Sequence, residues 1–210
     1  MTMLVTPDGS IPTPLRFETR QTTWSNLLAH DAPGTRDRRG AAANMVKLGL
    51  HPIALHGIAE SGGCTCHKGK SCDATGKHPV LGAWQKLPLD LVELDAMLAS
   101  NWRFNLGLRT GMQPNGRFLV VVDVDGPRRL LEPLETEHGA FPPTLTARTG
   151  RGGLHLYYWV RNGVEIPNRV GVVPKVDVRG AGGQVVASPS RHMSGEFYTW
   201  CDVRAPEVLP

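Results

Sequence analysis

The pattern of apolar and polar positions predicts both helices and strands in the first half of the chain. RRGAAANMVKLGL, residues 38–50, is rich in alanine and predicts a helix that stops near Gly49. HPIALHG, residues 51–57, predicts a short strand, and FNLGLRTG, residues 104–111, predicts a strand followed by a turn. Between them, LDLVELDAMLAS, residues 89–100, has apolar residues at helical spacing.

The second half predicts mostly strands. RFLVVVDVDG, residues 117–126, is a nearly continuous run of apolar and β-branched residues, which is typical of a central strand buried on both faces. PRRLLEPLETEHG, residues 127–139, predicts a helix. Short strands separated by Gly, Pro and Asn turns are predicted at LTART, GLHLYYWV, KVDVRG, GGQVVAS and EFYTW. The chain is therefore predicted to be an α+β protein with a largely antiparallel C-terminal half.

Composition narrows the class of protein. With 210 residues, 40% hydrophobic and 20% charged, the chain has enough apolar residues for one core. No apolar run approaches the ~20 residues of a membrane span, and the start lacks a basic segment followed by an apolar one, so we expect neither a membrane anchor nor a secretory signal. The net charge of +4 permits a phosphate-rich partner without requiring one. Residues 1–35, with scattered Pro and polar residues around Trp24 and Leu27, predict an N-terminal tail with room for one short helix.

Two aspartates end the predicted central strand. Asp123 and Asp125 are two positions apart, so both carboxylates project from one side of the strand, about 6.6 Å apart at ~3.3 Å per residue. Carboxylate pairs suit hard divalent cations, and two such ions ~3.5–4 Å apart support phosphoryl transfer. The alternative is a pair of acids that enter the turn beginning at Gly126.

A third acid, Asp177, lies between two valines in KVDVRG. If the valines face the core, Asp177 faces the opposite side and supplies a third carboxylate, with Arg179 on the same face to bind a phosphate. The alternative is a surface ion pair between neighbouring strands, which contributes little to stability.

A glycine-rich turn precedes the strand GLHLYYWV. In TGRGGLH, residues 149–155, the glycines let backbone N–H groups approach an anion, and Arg148 and Arg151 add positive charge. His155 alternates with two leucines, so its side chain faces the other side of the strand from theirs. His155 contacts a triphosphate if metals on the paired aspartates hold one; otherwise the segment is a hairpin turn with a half-buried histidine.

Three of the four cysteines lie close together in a loop at residues 58–79 that has no periodicity. Clustering in a chain without a secretory signal indicates a metal site rather than a disulfide framework. We predict a closed, structural zinc site with the ligands Cys64, Cys66, Cys72 and His78. His67 is the less suitable histidine because it adjoins a cysteine ligand and would strain the loop. The alternative is a loop without metal.

Four further residues are candidates for the phosphate site. Lys77 precedes His78 and reaches a phosphate if the loop is pinned; otherwise it is a solvated lysine. Ser188, Ser190 and His192 follow the strand GGQVVAS on a loop that either lines the same cleft or is a plain turn.

The order of these segments resembles a known family. The family is that of the N-terminal domains of bifunctional DNA primase/polymerases, the prim-pol domains of the archaeo-eukaryotic primase superfamily. The segments that carry the resemblance are, in order, GKHP, NLGLRTG, VVDVD, TGRGGLHLYY and VDVRGAGGQVVASPSRHMSGEFYTW. The resemblance covers roughly residues 40–205, so residues 36–210 are interpreted as the catalytic domain.

The resemblance implies an RRM-like, mainly antiparallel catalytic sheet packed with a smaller α/β N-terminal unit and a zinc-binding loop. The paired acids of the family fall on Asp123 and Asp125 and its hydrophobic-Asp motif on Asp177, which together would hold Mg²⁺ or Mn²⁺. Its small-x-His motif falls on His155, which would contact the phosphates of the incoming nucleotide. The cysteine-rich loop is similar to the zinc-binding insert of phage-type members.

The function implied is that of a template-dependent DNA primase/polymerase of a phage or plasmid replication system, in the cytoplasm of a bacterial host. The implied partners are a single-stranded DNA template and primer, NTP or dNTP, and a helicase domain C-terminal to this chain. Two other classes stay open: a non-catalytic zinc-containing nucleic-acid-binding module, and a metal-dependent single-strand nuclease or relaxase. A histidine-pair relaxase needs a second histidine, which the segment His155-Leu156-Tyr157 lacks.

Overall fold

The computed structural model describes residues 21–29, 37–161 and 163–209, and in these residues two β-sheets pack with four α-helices. The helices are α1 (Gln21–Ala29), α2 (Arg38–Lys47), α3 (Leu91–Ser100) and α4 (Glu132–His138). The strands are β1 (Pro52–Leu55), β2 (Asn105–Arg109), β3 (Gly111–Met112), β4 (Phe118–Val124), β5 (Thr146–Arg148), β6 (Leu154–Val160), β7 (Arg169–Val173), β8 (Val176–Arg179), β9 (Gln184–Val186), β10 (Thr199–Asp202) and β11 (Glu207–Val208). Short 3₁₀ turns occupy Gly69–Ser71 and Arg128–Leu131.

The structure contains a three-stranded sheet and an eight-stranded sheet, and both are built mostly from antiparallel pairs. The small sheet has the order β1-β2-β9, and the large sheet has the order β10-β5-β6-β4-β8-β7, with β3 beside β4 and β11 beside β6. The pairing of β11 with β6 is parallel, and the other pairs are antiparallel. This confirms the predicted mixed α and β architecture with mostly antiparallel sheets.

β4 lies in the middle of the large sheet because both of its faces are apolar. Leu119 and Val121 pack on one side, in a core shared with α1, α2, α3 and the small sheet. Val120 and Val122 pack on the other side, in a second core that Leu134 of α4 borders. Two cores therefore bury alternate side chains of one strand, which explains why the run has almost no polar position.

α1 lies inside the segment that the sequence predicts to be a tail. Its Trp24 and Leu28 are only 3% and 1% exposed, and both belong to the core on the small-sheet side. This helix is therefore part of the packed body rather than an appendage. The rest of the predicted tail, residues 1–20 and 30–35, lies outside the described residues.

Local signals explain the helix ends. α2 ends where Gly49, at φ 79°, reverses the chain, and Asp90 caps α3 by accepting the backbone N–H of Glu93.

The first part of the helix predicted at residues 127–139 is instead a 3₁₀ turn. β3, β7 and β11 are strands that the pattern does not predict: β3 and β11 have two residues each, and β7 is a mostly exposed edge strand. Within the part of the chain described, no helix has the length and apolar character needed to cross a membrane.

Candidate active site and metal centre

Three of the predicted site residues form one row across the large sheet. Asp123 of β4 pairs directly with Asp177 of β8 on one side and with His155 of β6 on the other. Directly paired residues of antiparallel strands share a face of the sheet. The row lines a cavity of about 380 Å³, which Asp125, Arg179 and strand β9 of the small sheet also line. Strand pairing therefore brings together Asp177, Asp123 and His155, and Asp125 joins them at the same cavity.

Asp123, at the centre of the row, is held as an ionised carboxylate. Its Oδ2 accepts a hydrogen bond from Nη2 of Arg179 at 3.1 Å, and its Oδ1 lies 3.5 Å from Nε2 of His155. Burial raises the pKa of Asp123, but the hydrogen bond and charge of His155 and the charge of Arg179 outweigh burial and lower this pKa to about 2. The centre of the row is therefore a partly buried negative charge.

Arg179 binds both carboxylates beside it. Its Nη2 donates to Oδ2 of Asp177 at 2.6 Å as well as to Oδ2 of Asp123. The other oxygen of Asp177, Oδ1, accepts the backbone N–H of Gly171 at 2.7 Å. The side chain predicted to bind phosphate is thus the counter-ion of two acids in this structure. This ion pair lies in the wall of the cavity rather than on an open surface.

Asp125 follows the end of β4 and lines the cavity on the same side as Asp123, as the two-residue spacing predicts. Its backbone N–H donates to the carbonyl oxygen of Lys175 at 2.8 Å, which ties the end of β4 to the turn between β7 and β8. Carboxylate oxygens are the donors that Mg²⁺ and Mn²⁺ take. The donor set of Asp123, Asp125 and Asp177 therefore fits a hard divalent ion.

The glycine-rich turn before β6 makes two close approaches that require glycine. A Cβ on Gly150 would lie 2.2 Å from Cβ of His192, and a Cβ on Gly153 would lie 2.4 Å from the carbonyl oxygen of Val124. The turn can therefore pack directly on the end of β4 and on the loop that carries His192. This packing places Arg151 at the cavity.

His155 is 5% exposed, so it is more deeply buried than a half-buried histidine. Its Nε2 faces Asp123, and its Nδ1 is buried and has no hydrogen-bond partner among the residues that the structure describes. The ring of Tyr198 lies beside it, with centroids 5.8 Å apart, and also beside His192, at 6.0 Å. Burial raises the pKa of Tyr198, so its phenol stays protonated at neutral pH.

Lys77 and His192 line the same cavity. Burial and the positive charges of Lys77 and Arg151 lower the pKa of His192, which favours the neutral imidazole. The carbonyl oxygen of Lys77 accepts a hydrogen bond from Nε2 of Gln184 at 2.7 Å. Gln184 also lines the cavity and is a residue that the sequence does not single out.

Three residues predicted for the cavity lie elsewhere. Arg148 of β5 pairs with the residue before His155, so its side chain starts on the opposite face of the sheet. Ser188 and Ser190 are fully buried. Oγ of Ser190 accepts the N–H of Leu106 and donates to the carbonyl oxygen of the same residue, so this hydroxyl ties the loop after β9 to β2. Arg148, Ser188 and Ser190 are therefore not among the residues that line this cavity, and for the two serines the structure favours the alternative of a loop outside the cleft.

The cysteine-rich loop gathers the four predicted ligand atoms. These atoms lie within 4.8 Å of one another and belong to Cys64, Cys66, Cys72 and His78. Sγ of Cys64 is 3.4 Å from Nε2 of His78, and neighbouring ligands of a tetrahedral zinc, with Zn–S bonds of ~2.3 Å, are ~3.8 Å apart. Burial raises the pKa of the Cys66 thiol, but hydrogen bonds from the Lys68 N–H and the other ligand side chains lower it to about 6. The donor set fits a tetrahedral metal site, and His67 is outside it.

Asn105 joins this loop to the wall of the cavity. Its fully buried side chain donates from Nδ2 to the carbonyl oxygen of Gly76 in the loop at 2.9 Å, and to that of Arg191 at 2.8 Å. Its Oδ1 accepts the backbone N–H of Arg191 at 2.9 Å. Because Arg191 precedes His192, one side chain fixes the loop relative to a residue of the cavity.

Comparison with known proteins identifies the family. A search of curated proteins gave no match. A family model described as the N-terminal domain of bifunctional DNA primase/polymerase matches residues 39–210, which contain the cavity and the cysteine-rich loop but not α1. Members of this family are nucleotidyltransferase-type enzymes that depend on metal ions. The chain therefore belongs to the family of bifunctional DNA primase/polymerase N-terminal domains.

Proposed function

We propose that this domain is a template-dependent primase and DNA polymerase, which transfers a nucleotidyl group from NTP or dNTP to a 3′-hydroxyl. The observation that carries the proposal is the row of Asp177, Asp123 and His155 in the wall of one cavity. The row combines acids that suit divalent ions with a histidine, and Lys77 and Arg151 line the same cavity as cations. A site of this charge pattern suits a metal-bound triphosphate better than a bare polyanion.

Asp123, Asp125 and Asp177 are the residues that would hold Mg²⁺ or Mn²⁺. When bound, such ions lower the pKa of the attacking hydroxyl and stabilise the charge that develops on the transferred phosphoryl group. The low pKa of Asp123 keeps this carboxylate ionised at neutral pH, so it binds a cation without first losing a proton. Arg179 exchanges its contacts with the two acids for contacts with the phosphates of the nucleotide.

The other side chains of the cavity bind and orient the nucleotide. His155 is fixed by its packing and by its contact with Asp123, so its ring is held in place before the substrate arrives. Lys77, Arg151 and His192 approach the phosphates from the loops around it. Because the reacting groups are positioned in advance, orientation and electrostatics supply most of the rate enhancement.

The four-residue cluster of the cysteine-rich loop is proposed to hold one structural Zn²⁺, because protein side chains fill all four positions of a tetrahedral site. Bound there, zinc would order the loop that presents Lys77. Since Asn105 and Gln184 link this loop to the cavity, the zinc site supports the nucleotide site rather than acting as a separate module.

The remaining features implied by the resemblance belong to the same proposal. We propose that residues 36–210 form the catalytic domain, that its large sheet is the RRM-like sheet of the superfamily, and that it acts on a single-stranded DNA template and primer. The proposal includes a helicase domain C-terminal to this chain and a phage or plasmid replication system in the cytoplasm of a bacterial host. The order of the motifs along the sequence supports these features.

Incubation of the protein with a single-stranded template, a primer, NTP or dNTP, and Mg²⁺ or Mn²⁺ tests the function. We expect the primer to be extended, and the products to include short chains made without a primer. Cleavage of the strand would indicate a nuclease, and binding without extension would indicate a non-catalytic module. Either result contradicts the proposal.

Variants of the acids connect this activity to the site. Asp123→Ala combined with Asp125→Ala should abolish synthesis, because it removes two of the three proposed metal ligands. The variant should still fold, although the loss of the contacts between Asp123 and Arg179 lowers its stability by about 2 kcal/mol. Glu137→Gln removes an exposed acid of α4, on the other side of the large sheet, and should leave synthesis unchanged. Synthesis at the normal rate by the double variant would show that the reaction takes place elsewhere.

A further inference from the structure

Lys175 occupies the turn between β7 and β8 in a backbone conformation that is costly for a lysine. Its φ is 66°, and Ala83 is the other non-glycine residue with a positive φ in the described ranges. The carbonyl oxygen of Lys175 accepts the backbone N–H of Asp125 at 2.8 Å. A glycine would make the same hydrogen bond without strain. The backbone of this turn therefore does not explain the presence of a lysine.

The side chain of Lys175 provides an explanation. Lys175 is exposed to solvent and lines the cavity together with Asp125. Arg179, on the adjoining strand β8, is bound to two carboxylates, whereas no ion pair of Lys175 occurs in the part of the chain that the structure describes. Lys175 is thus a cation of the cavity, and its ammonium group forms no ion pair with an acid of the described residues.

We propose that Lys175 binds a phosphate group of the incoming nucleotide, at the side of the cavity formed by Asp125. This inference rests on the proposed function. The carbonyl oxygen of Lys175 fixes the backbone of Asp125, and the side chain of Lys175 supplies a positive charge to the cavity that Asp125 also lines. Residues with strained backbone conformations cluster at active sites and ligand-binding sites. Lys175 is then a binding residue that the motifs of the sequence do not mark.

A phosphate of the DNA backbone has the same chemistry as a phosphate of the nucleotide. Two observations favour the nucleotide. The cavity, at about 380 Å³, has the size of a small-molecule site, for which ~300–1,000 Å³ is typical. Lys175 also lines the same cavity as the row of Asp177, Asp123 and His155, where the triphosphate must lie for the reaction to occur.

Substitution of Lys175 by glycine separates the side chain from the backbone. In Lys175→Gly, the KM for the nucleotide should rise roughly tenfold, because one charged contact is lost. The Kd for a primer–template should change by no more than about twofold. The Tm should stay the same or rise, since glycine relieves the positive φ. Ala83→Gly is the matched control: it relieves the same conformation away from the cavity and should leave the KM unchanged.

Two further variants keep the test independent of folding. Lys175→Arg retains the charge and should keep the KM close to that of the unchanged protein. Lys175→Asn tolerates the left-handed backbone but removes the charge, so it should behave like Lys175→Gly. A KM that is unchanged in Lys175→Gly would overturn the proposal. A weakened Kd for DNA with an unchanged KM would also overturn it and would assign Lys175 to the DNA backbone.

The same measurements distinguish this inference from the proposed function. If the unchanged protein extends primers and Lys175→Gly does so with the same KM, the inference about Lys175 alone is wrong. If the unchanged protein neither binds nucleotide in the presence of Mn²⁺ nor extends a primer, the proposed function is wrong, and the inference about Lys175 is wrong with it.

Discussion

Asp123 and Asp177 face each other in direct register across β4 and β8, and the same guanidinium nitrogen of Arg179 binds Oδ2 of both. Two neighbouring carboxylates repel each other, and the positive charge of Arg179 offsets that repulsion. A divalent cation held by the same oxygen atoms would offset it with a larger charge. Arg179 and the cation are therefore competitors for the two acids when no nucleotide is bound.

This competition predicts opposite effects of Arg179→Gln on metal binding and on stability. Without nucleotide, the affinity for Mn²⁺ should rise by roughly tenfold, which corresponds to about 1.4 kcal/mol. Without metal, the free energy of unfolding should fall by about 2 kcal/mol, because hydrogen bonds between charged groups are lost. Mn²⁺ should restore the stability of the variant, since it binds the folded state. Calorimetric titration and thermal unfolding with and without Mn²⁺ measure both effects.

Arg39→Gln is the control for this prediction. Arg39 also makes two hydrogen bonds to a carboxylate, that of Asp95, but the pair is solvent-exposed and far from the acid row in the fold. Its loss should change neither Mn²⁺ affinity nor, beyond about 0–1 kcal/mol, the stability. A lower Mn²⁺ affinity in Arg179→Gln would show instead that the guanidinium is needed to position the acids.

The pKa of Asp123 predicts how stability depends on pH in acid. This pKa falls from 3.8 to about 2 in the folded protein, so in this range the unfolded chain binds more protons than the folded one. The resulting stabilisation, roughly 2 kcal/mol, is complete above about pH 4 and is lost as the pH falls towards about 2. Urea unfolding between these pH values should show a shallower pH dependence for Asp123→Asn. An unchanged dependence would assign the acid effect to other carboxylates.

Much of the site could be predicted because the faces of three strands follow from residue alternation alone. On β4, β6 and β8, Asp123, His155 and Asp177 interrupt apolar residues, so each must point away from its apolar neighbours. The cluster of Cys64, Cys66, Cys72 and His78 was predictable for a different reason. Its residue types lie close together in the sequence, and their ligand chemistry leaves few arrangements.

The errors and omissions arose where position depends on contacts between distant segments. Arg148 belongs to a strand of three residues, whose exposed face follows only from its register with β6. Ser190 is buried because it binds the backbone of Leu106, 84 positions away. Lys175 and Tyr198 lie in or beside predicted strands, but only the pairing of those strands directs them to the cavity.

The metal-ligand cluster predicts about one tightly bound zinc ion per chain. Cys72→Ser should lose the metal and loosen residues 58–79, because a structural zinc contributes directly to the folding of its loop. The KM for the nucleotide should also rise, since Lys77 belongs to this loop and lines the cavity. Metal analysis, hydrogen exchange and nucleotide titration measure the three effects.

His67→Ala provides the matched control within the same loop, because His67 lies outside the ligand cluster. This variant should keep its zinc and its KM. Full zinc retention by Cys72→Ser, or no zinc in the unchanged protein, would show that the cluster is not a zinc site.

His155 allows the clearest test of a catalytic against a structural role, because it is buried and yet faces the central acid. If His155 binds the phosphates of the nucleotide, His155→Ala should weaken nucleotide binding in the presence of metal. The loss of a hydrogen bond to a charged group, about 1.5–3 kcal/mol, corresponds to roughly 10- to 150-fold in affinity. Template binding should change far less, because a ring that is only 5% exposed offers little surface to a DNA strand.

A buried histidine away from the site supplies the comparison. His51 is 4% exposed, and burial and the charge of Arg109 lower its pKa to about 4, so it is a neutral core residue at pH 7. His51→Ala should lower the Tm and leave the nucleotide affinity of the folded protein unchanged, whereas His155→Ala should lower that affinity even after correction for the folded fraction. If both variants lower only the Tm, then His155 serves packing alone, and the phosphates must be held by the cations of the surrounding loops.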